Sequence, residues 1–437
     1  MWSLFSEART RQLSVFWSAV IIVGLFVTRW VVVLPSIGMA GLFVTSIGYT
    51  IAKRSIAQRA HARIFLSFTL VYWLHFLTGI FRNNLLGKEL LRDLVLQLPF
   101  LLLPLSFLLL PNWRAAHKRI VWSILIGCCL LSALVATGNY LLHFQEIDSL
   151  YNRSQVMPTE PDHLRFSLLI SMAILAGCTL LVRKQIAPRL RLSIGVGVGL
   201  LFLFQHLLAV RSGLLSLYAG GALWLVWLGW QLKRWKTALT SIVLLVGLGT
   251  ACFWLLPTLQ LRVNNTYYDA TQRGTASSAN NFSVTARLYS YEIAETIIRQ
   301  HPLLGVGKVQ LEQEMAAQYS YRYPEISADR YVLPHNQFIY NLAAYGTIGL
   351  LVFLVGFYYP LWAAVQGRNA LALIVYLMVT LSFLTEYTLE TNIGVIVGLF
   401  FPLFTLAPVA EAAVDGAAGP RHSVYTNPKP VRPVQTS

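Results

Sequence analysis

Charge is scarce in this sequence. Asp, Glu, Lys and Arg make up 12% of its residues, against roughly 25% in soluble domains. A chain so poor in charge, and 56% hydrophobic, cannot clothe an ordinary water-facing surface, so its solvent is a bilayer. Acids are the scarcer sign, 18 against 34 basic residues, for a net charge of +16. That excess does not point to nucleic acid. The basic residues collect in short loops between apolar runs, which is how membrane topology is encoded. No nucleic-acid partner is expected. Cysteine is also rare. Cys128, Cys129, Cys178 and Cys252 all lie inside apolar runs, without disulfide or zinc spacing, and read as small buried hydrophobes. His75, His143 and His206 are isolated in apolar runs and read as satisfied core residues. No pair of histidines with a carboxylate has metal-ligand spacing, so no metal and no cofactor are expected. A cleavable signal peptide is not expected either. The first apolar run is followed by Arg29 and a second long run, with no small-residue cleavage site.

What is present is a succession of apolar runs. A spanning helix needs about 20 mainly apolar residues. Leu13–Val27, Trp30–Ile51, Ile64–Phe81, Leu91–Leu110, Ile120–Phe144 and Leu164–Val182 approach that length, as do Leu192–Val210, Gly213–Leu232, Thr237–Leu256, Phe338–Val365, Ala370–Tyr387 and Ile393–Pro408. They predict an all-α polytopic membrane protein of about twelve spans. The first two runs are separated by Thr28 and Arg29 and suggest a tight hairpin. Alternate loops hold Arg9 and Arg11, then Lys53, Arg54, Arg59 and Arg63, then Arg114, Lys118 and Arg119. The pattern continues with Arg183, Lys184, Arg189 and Arg191, with Lys233, Arg234 and Lys236, and with Arg368. With twelve spans all these sets fall on one side, which the positive-inside rule makes the cytoplasm. The chain then divides into transmembrane helices 1–9 over residues 1–258, a polar loop over 259–334, helices 10–12 over 335–410, and a disordered cytoplasmic tail over 411–437.

The opposite side carries arginines as well, against that rule. Arg165, Arg211, Arg262, Arg287, Arg299 and Arg322 lie there or at its border. They require an anionic ligand or carboxylate partners. Arg211 sits between two apolar runs, in LLAVRSGLLSL. Ionisable groups at membrane depth face a cavity or a partner, and an anionic headgroup would suit it; an arginine snorkelling from a tight turn is the alternative. Arg165, in HLRFSLLI, has the same two readings.

Within the polar loop, Ser283–Gln300 predicts an amphipathic helix with Ser283 as its N-cap. Val284, Leu288, Tyr291 and Ile298 recur at helical spacing. Arg287 and Tyr291, four apart, share a face. Arg287 either points into a site or pairs with Glu292 or another loop carboxylate. HPLLGVG (His301–Gly307) then ends the helix, Pro302 stopping it and Gly305 and Gly307 permitting a sharp turn. Gly305–Lys308 lacks the spacing of a phosphate-cradling loop. His335 lies between Pro334 and Asn336, just before an apolar run. At the mouth of a membrane cavity an imidazole can take a proton from a sugar hydroxyl; a hydrogen-bonded histidine at a helix start is the alternative. Glu386, in LTEYTLETN, can orient that imidazole or balance an arginine.

Taken together, these stretches resemble the O-antigen ligase family of bacterial inner-membrane glycosyltransferases. The resemblance rests on Arg287 with the following RQHPLLGVG (Arg299–Gly307), on PHNQFIYNLAAYGTIGLL (Pro334–Leu351), and on Arg211 in VRSG. It implies a GT-C-like fold, multi-pass in the inner membrane and surrounded by membrane lipid, with the active site facing the periplasm. It implies metal-independent, inverting transfer from undecaprenyl pyrophosphate-linked O-antigen to a lipid A–core acceptor. His335 is then the general base, and Arg211 and Arg287 bind pyrophosphate. Arg165, Tyr291, Asn336 and Glu386 join as substrate-binding residues. The same family includes O-antigen polymerases, which commonly have two comparable periplasmic loops, and longer protein O-oligosaccharyltransferases. The minimal loop before Arg211 and the short tail favour the ligase. A lipid-linked sugar or anion transporter is the reading from a different class; such proteins show internal repeats, and the single long loop here is asymmetric.

Overall fold

The computed structural model describes residues 5–82, 87–152, 155–182, 187–271 and 275–410, and the expected tail at 411–437 lies outside them. The described residues form helices and turns, with no strand beyond an isolated bridge between Trp113 and Val409. Every apolar run becomes a helix or a pair of consecutive helices. The chain opens with α1 (Glu7–Phe26) and α2 (Leu34–Lys53), then the pair α3 (Ala62–Ser67) and α4 (Thr69–Arg82), and the pair α5 (Lys88–Gln97) and α6 (Pro99–Leu109). There follow α7 (Ala115–Leu142), the short α8 (Phe144–Asn152), α9 (His163–Val182), α10 (Pro188–Leu208), α11 (Arg211–Leu232) and α12 (Trp235–Leu255). The polar segment contributes α13 (Pro257–Thr271), α14 (Ser283–Gln300) and α15 (Lys308–Arg322), and the chain returns through α16 (Gln337–Gln366), α17 (Ala370–Thr385) and α18 (Asn392–Leu406).

By length and composition, seven of these helices and the continuous pair α5–α6 can cross a membrane, eight spans in all, or nine if the pair α3–α4, broken by 43°, counts as one span. The sequence reading gives about twelve spans, and the difference has a physical origin. α1 carries Glu7, Arg9 and Arg11 in its first turns, while α17 and α18 are apolar but only 16 and 15 residues long. α9 lies at the centre of the bundle, with 72% of its apolar window buried, whereas α12 has 11% buried and displays Leu239, Val243, Leu244 and Leu248 outward. An apolar face of that kind belongs against lipid.

The polar segment is locked to the bundle by backbone. α16 is broken at Gly346, where φ is 66° and ψ is −171°. A break inside an apolar helix frees backbone groups that need partners. The turn after α14, with Gly305 at φ 61° and Gly307 at φ 90°, supplies them. Val306 and Gly307 N–H donate to the Ala343 and Ala344 carbonyls (3.1 and 2.7 Å), and Thr347 and Ile348 N–H donate to those of Pro302 and Leu303 (2.8 and 3.2 Å). The approach is so close that a Cβ on Gly346 would lie 2.3 Å from the Leu303 backbone, and one on Gly305 2.4 Å from that of Ala344.

Two further contacts fix the same segment. The expected N-cap, Ser283, is not one: Phe282 holds that position and offers no side-chain bond. Asp269 of α13 caps α14 instead, accepting from the N–H of Val284 (2.9 Å) and Thr285 (3.3 Å) and from the Thr285 hydroxyl (3.2 Å). A cap from another helix leaves no local pattern to read. Lys308, the first residue of α15, is likewise tied down. Its ammonium pairs with Asp93 and, at 2.5 Å, with Glu390. Asp93 faces His75 Nδ1 at 3.0 Å, and the Tyr345 hydroxyl lies 2.9 Å from the same nitrogen. His75 is therefore a satisfied core residue, as its setting suggests, but within a charged cluster. Burial works against the Lys308 charge, yet Glu390 and then Asp93 outweigh it and hold the ammonium above its ordinary pKa.

Removing one member of a buried charge cluster leaves the others unpaired, at a cost of about 3–5 kcal/mol. Lys308→Met should destabilise the protein by that amount, read as a lowered unfolding temperature in detergent. A variant as stable as the parent would show that Asp93 and Glu390 do not need the ammonium.

Candidate active site

Three chain segments meet where α14 passes the start of α16 and the end of α17. Arg287 projects from α14, His335 precedes α16, and Glu386 follows α17. One carboxylate joins the other two side chains. Arg287 Nη2 donates to Glu386 Oε1 at 3.0 Å, and His335 Nδ1 lies 2.9 Å from Glu386 Oε2. A ring nitrogen facing a carboxylate carries the proton, which leaves Nε2 with its lone pair. Glu386 is 6% exposed, while the His335 side chain keeps 21% of its surface, so the imidazole is reachable and its carboxylate is not. Burial alone would push Glu386 up. The His335 hydrogen bond and charge, then the charges of Arg287 and Arg165, outweigh it and hold the carboxyl below its ordinary value of 4.5.

The neighbours hold the imidazole in place. The Tyr291 hydroxyl donates to the His335 carbonyl at 3.1 Å, as its position one turn from Arg287 allows. The Tyr387 ring lies 5.2 Å from the imidazole. Asn336 is the N-cap of α16: its Oδ1 accepts from Phe338 and Ile339 N–H at 2.9 and 3.1 Å, and its Nδ2 reaches the Leu384 carbonyl at 3.4 Å. Both polar ends of Asn336 thus reach backbone, and it caps the helix that follows His335. Glu386 both orients the imidazole and balances an arginine; the sequence left these as alternatives.

Arg211 opens α11 immediately after α10, whose end is left-handed at Ala209 (φ 52°). Its Nε is buried and has no hydrogen-bond partner among the described residues. Arg211, Arg262 and Arg287 stand close enough to perturb one another. Burial, then the charge of Arg211 and that of Arg287, push Arg262 down to about 10. Three guanidiniums, one at the positive end of a helix, outnumber the two acids beside them, Glu386 and Asp269, and leave net positive charge there. Arg262 is the member that sequence reasoning did not place in the site; only its presence among the arginines of the polar side hinted at it. Arg165 stands beside the group, bonded to Asp162 at 3.1 Å and to the Thr391 hydroxyl at 3.3 Å. It lines a small crevice with Ser212, Ser216, Ser382, Thr385 and Glu386. Among the described residues, no three His, Cys, Asp or Glu side chains are grouped to hold a metal ion.

The family model described as O-antigen ligase matches residues 196–354. That stretch runs from within α10 past the break in α16 and includes Arg211, Arg262, Arg287 and His335; Arg165 and Glu386 lie outside it. No curated protein matches the chain.

Because the folded protein holds Glu386 below 4.5, its ionisation stabilises the fold at pH values above that figure. The contribution is lost as pH falls through the lower, folded-state pKa. Unfolding temperature should therefore drop on acidification below pH 4.5 in the parent and less steeply in Glu386→Gln. Parallel profiles for the two proteins would show that the shared carboxylate is not the titrating link.

Proposed function

We infer the reaction from what the chain is: it belongs to the O-antigen ligase/polymerase superfamily, whose members are glycosyltransferase-like enzymes acting on lipid-linked sugars. On this reading the enzyme transfers polysaccharide from undecaprenyl pyrophosphate to a sugar hydroxyl of the lipid A–core. It works at the periplasmic face of the bacterial inner membrane, with residues 259–334 and the arginine cluster on that side. The observation that carries the reading is the single carboxylate shared by Arg287 and His335. It sets a base beside a group of cations, as transfer away from a diphosphate requires.

Arg211 and Arg287, with Arg262 beside them, bind the diphosphate. Planar guanidiniums match phosphate oxygens in pairs. They stabilise the charge that grows on the leaving oxygen as the glycosidic bond breaks. His335 Nε2 accepts the proton of the acceptor hydroxyl while that oxygen attacks the anomeric carbon from the opposite face. The bonding pair of the sugar–phosphate bond leaves with the lipid diphosphate. Glu386 stabilises the imidazolium that forms, as the acid of a hydrolase triad does. Arg165 adds positive charge at the edge, and Tyr291 and Asn336 keep the base in register. The leaving group is already good, so the residues supply base, orientation and charge. A single displacement of this kind inverts the anomeric configuration.

A general base contributes about 10²–10⁴ in rate. His335→Ala should lower transfer by that factor in protein that is still folded and inserted. Arg211→Ala and Arg287→Ala should cripple donor use, and lysine at either place should not restore it, lacking the planar fork. Silver-stained lipopolysaccharide from a deletion strain should show bare core with lipid-linked polymer accumulating. A core carrying one repeat unit would identify a polymerase instead. Full transfer by His335→Ala, or retained anomeric configuration, would overturn the mechanism.

A further inference from the structure

Beyond Arg287 and Tyr291, α14 carries side chains for which the transfer step has no use. Tyr291, Glu295 and Arg299 follow Arg287 at intervals of four, each neighbouring the one before it, in a stripe that winds slowly around the helix. At 1.5 Å per residue, the stripe from Arg287 to Arg299 is about 18 Å long. A groove accompanies it. Its inner part, about 370 Å³, is bordered by Thr285, Leu288, Tyr289, Tyr291, Glu292 and Glu295. It begins at the tyrosine whose hydroxyl holds the His335 carbonyl. Its outer part, about 680 Å³, is bordered by Glu292, Glu295, Thr296, Arg299, Arg322 and Tyr323. The two parts share Glu292 and Glu295 and form one track.

The lining selects a class of ligand. Carboxylates accept hydroxyl protons, guanidiniums donate, and tyrosine rings offer flat faces. Tyr289 and Tyr323 stand edge to face with centroids 4.7 Å apart. The Tyr323 hydroxyl donates to Glu292 Oε2 at 2.6 Å. That bond, then burial, pushes the phenol up to about 12, so it remains a donor at neutral pH. Glu295 and Arg299 pair at 2.6 Å but are 59% and 78% exposed. An exposed pair contributes little to the fold, so its atoms are available to exchange partners with a ligand. Glu292 and Glu295 are matched by Arg299 and Arg322, so the lining has no excess charge to attract a polyion, and Leu288 is its one aliphatic side chain, too little for an apolar partner. A neutral, hydroxyl-rich chain fits both constraints.

We propose that this track binds a saccharide chain and holds several of its sugars along α14, outward from His335. The proposal rests on the transferase reading above, which makes a saccharide the substrate. The chain held is either the polymer of the donor or the core oligosaccharide of the acceptor, which offer the same hydroxyl chemistry.

The test is a triple variant, Glu295→Ala, Arg299→Ala and Arg322→Ala, all at exposed positions. Transfer is measured with donors of one and of many repeat units, and with full and truncated core acceptors. Losing one or two hydrogen bonds should raise KM for the longer substrate about tenfold, with kcat and the KM of its short counterpart unchanged. A rise confined to long donors assigns the track to the polymer, and one confined to full-core acceptors assigns it to the core. Equal effects on long and short substrates, or none, would overturn the proposal. Binding of lipid-free oligosaccharide, taken both from the strain's own polysaccharide and from its core, measured on His335→Ala protein with and without the triple change, separates the two readings. Oligosaccharide binding lost with the triple change supports the track even if His335 proves dispensable for transfer; binding that the triple change does not alter defeats the track alone.

Discussion

A carboxylate removed from water has to be paired, because an isolated buried charge is too costly to keep. Glu386 meets that requirement with one oxygen on Arg287 and the other on His335, and so fastens α14 and the start of α16 to the end of α17. The bond that stabilises the junction is also the one that would orient a base beside a cation. Four residues on, Glu390 repeats the arrangement with Lys308. The short segment carrying both acids is itself held by side chains of the bundle: Gln97 donates to the Leu389 carbonyl at 2.9 Å, and Leu389 N–H donates to Gln337 Oε1 at 2.8 Å. Little in this region can shift without breaking a buried polar contact.

That rigidity depends on the turn at Gly305–Gly307 filling the break in α16. The break frees carbonyls and N–H groups, the turn satisfies them, and only glycine tolerates both the left-handed backbone and the approach at Gly305 and Gly346. The polar segment is therefore seated on the bundle by main-chain bonds, which leaves side chains of α14 free to face the site and the groove beyond it. Local order at the site and attachment of the segment are two consequences of the same interlock.

Much of this was legible along the chain. Apolar runs became helices because length and composition alone decide that in a bilayer. Ser283–Gln300 formed a helix with Arg287 and Tyr291 on one face, and the glycines of HPLLGVG made the turn they permit. Other features left no local trace. Gly346 sits in AAYGTIGLL, which reads as unbroken apolar helix until the docked turn is seen. Asp269 caps a helix from 15 residues upstream, and Lys308 meets Asp93 across 215 positions. Arg262 joins Arg211 and Arg287 only through the packing of α13. That Asn336 caps α16 was not read from the sequence, because a helix start and a binding site call for the same side chain. The count of about twelve spans exceeds the eight or nine that qualify by length and composition because one helix is charged at its start and two are only 15 to 16 residues long.

The central claim is that the arginines and the imidazole serve one lipid diphosphate. A structure of the protein in a lipid nanodisc with an undecaprenyl pyrophosphate-linked saccharide bound tests it most directly. The account predicts the diphosphate between the guanidiniums of Arg211 and Arg287, with His335 Nε2 facing the anomeric carbon across a gap that admits an acceptor hydroxyl. A donor seated elsewhere on the bundle, or one whose anomeric carbon points away from His335, would contradict it.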